Sequence, residues 1–242
     1  MRIAIRNIVA CLFLALAIPA AALAASPRFQ AALDALGVPL SLPPSGKAIV
    51  VNIPAFELIA FENAEPVLRS RVIVGTPWHR TPVMTTHTTS VRFRPTWRPT
   101  PSMIASGEYR DRVWPPGPNN PLGLAAVRLE EGLLVYLHDT NRRDLFDREY
   151  RALSHGCVRV QAWDALAAFV LDADLAAIHA LANGRSTTDV PTGPIPVILG
   201  YYRVFPDDAG RAVAYDDVYG LGRDGPVTGV IEKAAAGDSC GA

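Results

Sequence analysis

The chain has 242 residues, in which 23 basic residues balance 23 acidic ones and half of all residues are hydrophobic. This length suffices for one domain with a substantial core and is short for two. Because there is no basic excess, bulk charge does not direct the protein to nucleic acid or to an anionic membrane.

The N-terminus predicts export. Arg2 and Arg6 precede an apolar run from Ile8 to Ile18, and Ala22-Leu23-Ala24 has the small residues of a cleavage site. The run is too short to cross a bilayer, so we interpret residues 1–24 as a signal peptide rather than as an uncleaved anchor. We expect no membrane span after cleavage.

The chain that follows is predicted to be mainly β. Residues 25–46 are expected to form a short helix and a proline-rich linker, since Ser26 and Pro27 suit a helix start. Segment 95–121 is rich in proline and is predicted to be largely loop. Runs of β-branched and apolar residues predict strands at 48–53, 56–61, 67–74, 85–93, 133–138, 195–204 and 211–215.

One long helical segment is predicted from Trp163 to Ala182. Alanine and leucine dominate it, and Asn183-Gly184 suits its end. Asp172 and Asp174 are placed to split it into two shorter helices. The predicted fold is therefore a β protein with one helical segment directly after the cysteine motif described next.

Ser154-His155-Gly156-Cys157 is the stretch that most strongly indicates chemistry, because it brings a cysteine and a histidine within two positions. A thiol has a pKa of about 8.5 and needs a nearby base to react near neutral pH. His138 ends a predicted strand and can approach the thiol freely, whereas His155 is fixed to the same tight turn. We therefore assign Cys157 as nucleophile and His138 as general base, with His155 orienting the turn or contacting substrate.

Neighbouring groups complete the predicted site. The backbone N–H groups of Gly156 and Cys157 are candidate oxyanion donors. The Asp139-Thr140 segment is the nearest source of an acceptor for the second ring nitrogen of His138. Arg159 projects from the same segment as the cysteine and is suited to bind a carboxylate.

Inert packing and metal binding are alternative interpretations. His138, His155 and Cys157 provide three ligands, which a catalytic zinc would accept, but the CxxC or HxxxH spacing of a closed structural site is lacking. Cys240 lies in a segment that is expected to be a disordered tail. We therefore do not expect a stable Cys157–Cys240 disulfide, although these two cysteines remain after signal cleavage.

Two segments carry a resemblance to a known family. Residues 136–140 (YLHDT) and 154–160 (SHGCVRV) resemble the active-site segments of the L,D-transpeptidases, which have a YkuD-type catalytic domain. The resemblance covers roughly residues 47–225, which leaves 226–242 as a C-terminal tail. Further similarity to large proteobacterial members lies at 51–56, 72–75, 81–84 and 116–123.

The resemblance implies a β-sandwich with the cysteine at the end of a strand, and a periplasmic enzyme of peptidoglycan. Cys157 would take the acyl group of a tetrapeptide donor stem, and a diaminopimelate amine of a neighbouring stem would accept it. His138 and His155 would assist, and no metal or organic cofactor is implied. The candidate substrate contacts are Ser154, Arg159, Tyr136 and Asp139.

Other enzyme functions would proceed through the same thioester intermediate on Cys157. Water as acceptor would make the protein an L,D-carboxypeptidase or endopeptidase, and a protein partner would make it an enzyme that attaches an envelope protein to the wall. A non-catalytic wall-binding protein is disfavoured, because binding alone needs no activated thiol.

The chain departs from the family pattern in three places. Arg159 stands where many relatives carry asparagine, and Arg94-Pro95-Thr96-Trp97 stands where the subgroup has Asn-Pro-x-Trp. Only residues 105–113 remain of a long insertion that caps the substrate groove, and residues 25–46 leave no room for a peptidoglycan-binding domain. The short cap predicts an open groove. We therefore expect 3–3 crosslinks or, less usually, the 1–3 crosslinks of an unusual donor that such a groove would admit.

Overall fold

The computed structural model describes residues 28–130 and 132–222, and within these ranges the chain is mainly β, as the sequence predicts. The predicted signal peptide at 1–24 and tail at 226–242 lie outside the described residues. The helices are α1 (Arg28–Ala35), α2 (Pro101–Ala105), α3 (Trp163–Leu171) and α4 (Leu175–Ala182). The strands are β1 (Lys47–Asn52), β2 (Glu57–Glu62), β3 (Glu65–Gly75), β4 (Met84–Phe93), β5 (Ala125–Leu129), β6 (Tyr136–His138), β7 (Ala152–Ser154), β8 (Val158–Val160), β9 (Thr188–Pro191), β10 (Pro196–Gly200), β11 (Val204–Pro206) and β12 (Ala212–Ala214).

The strands follow one another in a closed path, β10-β1-β2-β3-β8-β6-β5-β4, because β10 pairs with both β1 and β4. β3 and β4 are long, with 11 and 10 residues, and each changes partners along its length. The first part of β3 pairs with β2, and its end pairs with β7 and β8. The two halves of the path therefore pack as the layers of a sandwich that long strands connect.

The main core lies between these layers, and a second core lies outside one of them. Ile49 and Val51 of β1 belong to the main core, whereas Val50 packs with Phe29 and Leu33 of α1. Burying a side chain of this size contributes about 1.5–3 kcal/mol. Because β1 is covered on both faces, its sequence is a continuous apolar run instead of an alternating one.

The long helical segment is split, as predicted. Asp172 ends α3 in the left-handed conformation with φ 53°, and the Asp174 side chain accepts a hydrogen bond from the Ala177 N–H at 2.7 Å to begin α4. Ionised and polar side chains at such positions satisfy backbone groups that a helix end leaves unpaired.

Some predicted boundaries are wrong. The single strand expected at 195–204 is two strands, β10 and β11, because Tyr201 to Arg203 leave the sheet between them. β5, β7, β8, β9 and the short helix α2 were not predicted. In these cases the local sequence is short or rich in proline, and the pairing that stabilises it comes from distant parts of the chain.

Among residues 28–130 and 132–222, no single helix is long and apolar enough to cross a membrane. α3 and α4 meet the length and composition criteria only as a pair, and they are bent by 112° at the break between them.

Candidate active site

Two parallel neighbours in the sheet position the predicted catalytic residues. β6 and β8 pair so that Leu137 faces Val158 and His138 faces Arg159. Cys157 directly precedes β8, and side chains two positions apart on a strand point to the same face. One cavity is accordingly lined by His138, Ser154, His155, Cys157 and Arg159. The structure thus brings together five residues that the sequence placed in the site.

The segment 154–157, here called the nucleophile turn, is stabilised by a compact set of hydrogen bonds. The Ser154 hydroxyl donates to the Cys157 carbonyl oxygen at 2.6 Å and accepts from the Gly156 N–H at 3.1 Å. The Thr81 hydroxyl donates to the Gly156 carbonyl oxygen at 2.8 Å. Gly156 has φ +114°, which side chains with a Cβ rarely adopt, so the turn requires glycine there.

One of the two predicted oxyanion donors takes part in this hydrogen-bond network. Because the Gly156 N–H already donates to Ser154 Oγ, it is occupied in the resting turn. Another backbone donor is directed at the sulfur itself, since the Tyr136 N–H lies 3.2 Å from Cys157 Sγ. An N–H group in this position stabilises negative charge on sulfur.

The Cys157 side chain is buried, and its sulfur lies 3.6 Å from the Leu134 carbonyl oxygen. Cys157 is disulfide-bonded in this structure, and its partner lies outside the described residues. The expectation that Cys157 forms no stable disulfide with Cys240 concerns a residue outside the described ranges, so it stays a prediction. A disulfide sulfur cannot attack a carbonyl, so a nucleophilic Cys157 requires reduction.

His138 is buried, and its Nδ1 contacts the backbone carbonyl oxygen of Asp139. The predicted acceptor from the Asp139-Thr140 segment is therefore confirmed, and it is a main-chain oxygen. Burial, assisted by the Arg159 cation, lowers the pKa of His138 to about 3, against the opposing effect of the Asp139 and Leu122 carbonyls. The ring is neutral at neutral pH, which is the form that accepts a proton.

Asp139 and Tyr136, two predicted substrate contacts, do not line this cavity. The Asp139 carboxylate accepts from the Arg143 guanidinium at 2.8 Å and from the Leu124 N–H at 2.9 Å. Burial raises the pKa of Asp139 despite these donors. Tyr136 lines a separate cavity beside Arg128. Asp139 therefore connects the strand that carries His138 to its neighbours.

The Arg159 side chain lines the cavity, and its guanidinium forms no hydrogen bond or ion pair within residues 28–130 and 132–222. Burial lowers the pKa of its guanidinium, while Tyr109 and Glu108 oppose that effect. A cation in this position, next to His138 and close to the nucleophile along the strand, is suited to receive an anionic group from a substrate.

Residues 97–114, here called the cap, cover the site more than the sequence suggests. Trp97 and Trp114 exchange backbone hydrogen bonds of 3.0 and 2.7 Å, and α2 lies between them. Trp97, Met103 and Tyr109 line the cavity. The expectation of an open groove is therefore wrong, because the shortened segment still folds around an aromatic cluster.

The cap also makes a direct polar contact with the nucleophile turn. Glu108 Oε2 lies 3.0 Å from His155 Nε2, and the His155 ring packs on the His79 ring with centroids 4.5 Å apart. Sequence analysis did not identify Glu108 or His79 as parts of the site. No local pattern connects them with His155, since the contact depends on how the cap folds.

The alternative interpretation, in which the site binds a metal ion, can be tested by geometry. Within residues 28–130 and 132–222, no group of three or more His, Cys, Asp or Glu side chains is placed to hold a metal ion.

Comparisons with known proteins agree with the resemblance in the sequence. Residues 46–197 match the family model described as the L,D-transpeptidase catalytic domain, YkuD. A Haemophilus influenzae protein named for this activity is 29% identical over 225 residues, which cover 75% of this chain and 46% of the relative. YbiS of Escherichia coli K12, named for the same activity, is 34% identical over 121 residues, or 48% of this chain and 38% of that protein.

A solved L,D-transpeptidase from Mycobacterium smegmatis has a TM-score of 0.43 and 18% identity, covering 64% of this chain and 58% of that one. The chain spans less than half the length of these curated relatives.

Proposed function

Because this chain belongs to the L,D-transpeptidase catalytic domain family, we propose that it is a cysteine acyltransferase that crosslinks peptidoglycan stem peptides in the periplasm. The observation that carries the proposal is the shared cavity. It is lined by His138 on β6, by Arg159 on the adjacent parallel strand β8, and by Cys157, which directly precedes β8. Such an arrangement supplies a nucleophile, a neutral base and a cation for an anionic substrate.

The reaction would begin with reduced Cys157. His138 accepts the thiol proton, and the thiolate attacks the carbonyl carbon of the donor bond. The tetrahedral intermediate collapses to a thioester, and the leaving amine takes the proton from His138 as it departs. The amine of a second stem then attacks the thioester and loses a proton, which regenerates the thiol.

The low pKa of His138 fits the resting state, in which the sulfur carries no charge. A thiolate in the same cavity would favour the protonated imidazole and raise this pKa. The Tyr136 N–H, which lies on the neighbouring strand β6 and is directed at Sγ, stabilises the same thiolate. The base and the backbone donor therefore both promote ionisation of the thiol.

The cap affects which acyl-donor stem peptide the site accepts. The 1–3 crosslink was the less usual of the two expected products and depended on an open groove that would admit an unusual stem, but Trp97, Met103 and Tyr109 form a wall here. We therefore favour the 3–3 product, with Arg159 receiving a carboxylate of the tetrapeptide stem. Replacing Arg159 by alanine should raise KM for tetrapeptide donors more than it lowers kcat.

Incubation of purified muropeptides with reduced wild type, Cys157→Ala and His138→Ala tests the proposal. We expect crosslinked dimers and released D-alanine with wild type, and neither with the folded variants. An acyl adduct on Cys157, seen by intact mass, would identify the thioester. Turnover that persists in Cys157→Ala would disprove the mechanism, and tripeptides without dimers would indicate the hydrolase instead.

A further inference from the structure

The peptide bond that joins Gly156 to Cys157 is held by a hydroxyl from the loop between β3 and β4. The Thr81 side chain is buried, and its hydroxyl donates to the Gly156 carbonyl oxygen at 2.8 Å. The same hydroxyl accepts a hydrogen bond from the Gly75 N–H at 2.9 Å. Because both its donor and its acceptor function are used, the hydroxyl fixes where the Gly156 carbonyl oxygen lies.

The direction of that carbonyl group also sets the direction of the Cys157 N–H. The Gly156–Cys157 peptide bond is trans, and in a trans peptide bond the C=O and N–H groups point to opposite sides. The Gly156 C=O is directed at Thr81, which does not line the cavity, whereas Cys157 does. The Cys157 N–H is therefore directed away from the Thr81 loop, to the side of the turn that faces the cavity.

An N–H group with this direction contributes to acyl transfer. When a thiolate attacks a carbonyl carbon, the π electron pair moves to the carbonyl oxygen, and a directed N–H stabilises the resulting charge. Of the two predicted oxyanion donors, the Gly156 N–H donates to Ser154 Oγ, so we consider the Cys157 N–H. We propose that Thr81 is a positioning residue that holds the Gly156 carbonyl and thereby directs the Cys157 N–H at the acyl oxygen. This inference rests on the proposed function and adds a residue to it.

Tyr219, near the end of the described chain, fixes Thr81 in turn. Its hydroxyl accepts from the Thr81 N–H at 3.1 Å and donates to the Gly75 carbonyl oxygen at 2.8 Å, so it joins the two ends of loop 76–80. Burial raises the pKa of Tyr219 to about 12, so the phenol keeps the proton that it donates. The Tyr219 N–H donates to the Tyr201 hydroxyl at 2.7 Å, and the two rings stack. Tyr219 therefore acts on the nucleophile turn through Thr81.

Two reactions of the same sulfur separate this role from effects on the thiol itself. In acylation by p-nitrophenyl acetate, the thiolate attacks the ester carbon, an oxyanion forms, and p-nitrophenolate leaves to give an acetyl thioester. In alkylation by iodoacetamide, the thiolate displaces iodide from a saturated carbon and no oxyanion forms. Reduced protein is used, and peptide mass spectrometry follows each adduct on Cys157. The ratio of the acylation rate to the alkylation rate then measures stabilisation of the oxyanion.

Thr81→Val removes the hydroxyl and should lower this ratio at least tenfold, because losing an oxyanion donor outright costs about 100- to 1,000-fold in rate. Alkylation alone should stay within twofold of wild type, since the base and the sulfur are unchanged. Thr81→Ser keeps the hydroxyl and should hold the ratio within threefold of wild type. With muropeptides as substrate, Thr81→Val should lower kcat and leave KM unchanged, because the interaction is made only in the transition state.

Thr86→Val is the matched control. Thr86 on β4 is also buried, and within residues 28–130 and 132–222 its hydroxyl has no hydrogen-bond partner. We expect an unchanged ratio for this variant, and a fall equal to that of Thr81→Val would contradict the proposal. An unchanged ratio in Thr81→Val would overturn it. So would an equal loss in Thr81→Ser, or a wild-type ratio no higher than that of free N-acetylcysteine.

Tyr219→Phe tests the same link without altering a side chain that touches the turn. We expect the ratio to fall about threefold, and adding Tyr219→Phe to Thr81→Val should lower it less than twofold further. An unchanged ratio in Tyr219→Phe, or full additivity in the double variant, would contradict action through Thr81. Far-ultraviolet circular dichroism verifies that each variant is folded. If wild type forms no muropeptide dimers while the ester ratio still falls in Thr81→Val, the proposed function fails and this inference stands.

Discussion

The nucleophile turn and the cap lie on opposite sides of one cavity and are stabilised by different means. The turn is attached to β7 and β8, and its hydrogen bonds run between its own backbone and the buried hydroxyls of Ser154 and Thr81. The cap rests on a cluster of aromatic side chains and on an exposed contact from Glu108. A site built this way combines a nucleophile held by buried hydrogen bonds with a cover held by aromatic packing and an exposed contact.

The largest effect should follow from adding a methyl group to the rigid side. Gly156→Ala forces a residue with a Cβ to φ +114°, at a cost of about 1–3 kcal/mol or a displaced turn. Since a shift of about 1 Å at a reacting group lowers turnover on the order of 100-fold, we expect at least that loss in kcat. Steady-state assays on muropeptides measure it.

Gly37→Ala is the matched control, because Gly37 also has a positive φ, of 65°, with open space around its Cα. It carries comparable backbone strain at the end of α1, far from the turn along the chain. We expect a lower melting temperature and unchanged kcat. If both variants lost kcat equally, the rigidity of the turn would not be the cause of the loss in Gly156→Ala.

The second prediction concerns pH. The pKa of His138 falls from 6.5 to about 3 on folding, so between these values the unfolded chain binds a proton that the folded chain does not. Stability is then complete above pH 6.5 and decreases as the pH falls toward 3. By pH 5 the loss from this group is roughly 2 kcal/mol.

Urea denaturation of the disulfide-bonded protein at pH 7 and pH 5 measures this loss, and His138→Gln should reduce it by most of that amount. An identical slope for wild type and His138→Gln would show that the imidazole is not buried in neutral form.

The turn could be predicted from the sequence and the cap could not, and the reason is physical. The functions of Gly156 and Cys157 are local, since a sharp turn needs glycine and a thiol needs a base from a nearby strand. The contact from Glu108 depends on packing among Trp97, Tyr109 and Trp114, which a proline-rich segment does not reveal through periodicity.

The fold shows the same division. The strands β1 to β4 follow from β-branched runs, and the break between α3 and α4 follows from Asp172 and Asp174. β9 and α2 are stabilised by neighbours far away in sequence, such as the pairing of Val190 with Val91. Local composition predicts elements that bury their own apolar faces, and it misses elements that others support.

The smallest predicted effect tests how independent the cap is. The Thr100 hydroxyl accepts from the Met103 N–H at 3.3 Å and caps α2. Losing this hydrogen bond at the N-terminus of the helix costs about 1 kcal/mol. If the cap folds and opens as its own unit, Thr100→Ala should increase hydrogen exchange of the α2 amides about fivefold. Exchange in β8 should stay unchanged, because only the open state of the cap becomes more populated.

Hydrogen exchange with mass spectrometry measures both regions in one experiment, with Thr188→Ala on the edge strand β9 as control. Equal acceleration in α2 and β8 would mean that cap and turn open together, and the distinction between a turn held by buried hydrogen bonds and a cover held by aromatic packing would then be lost.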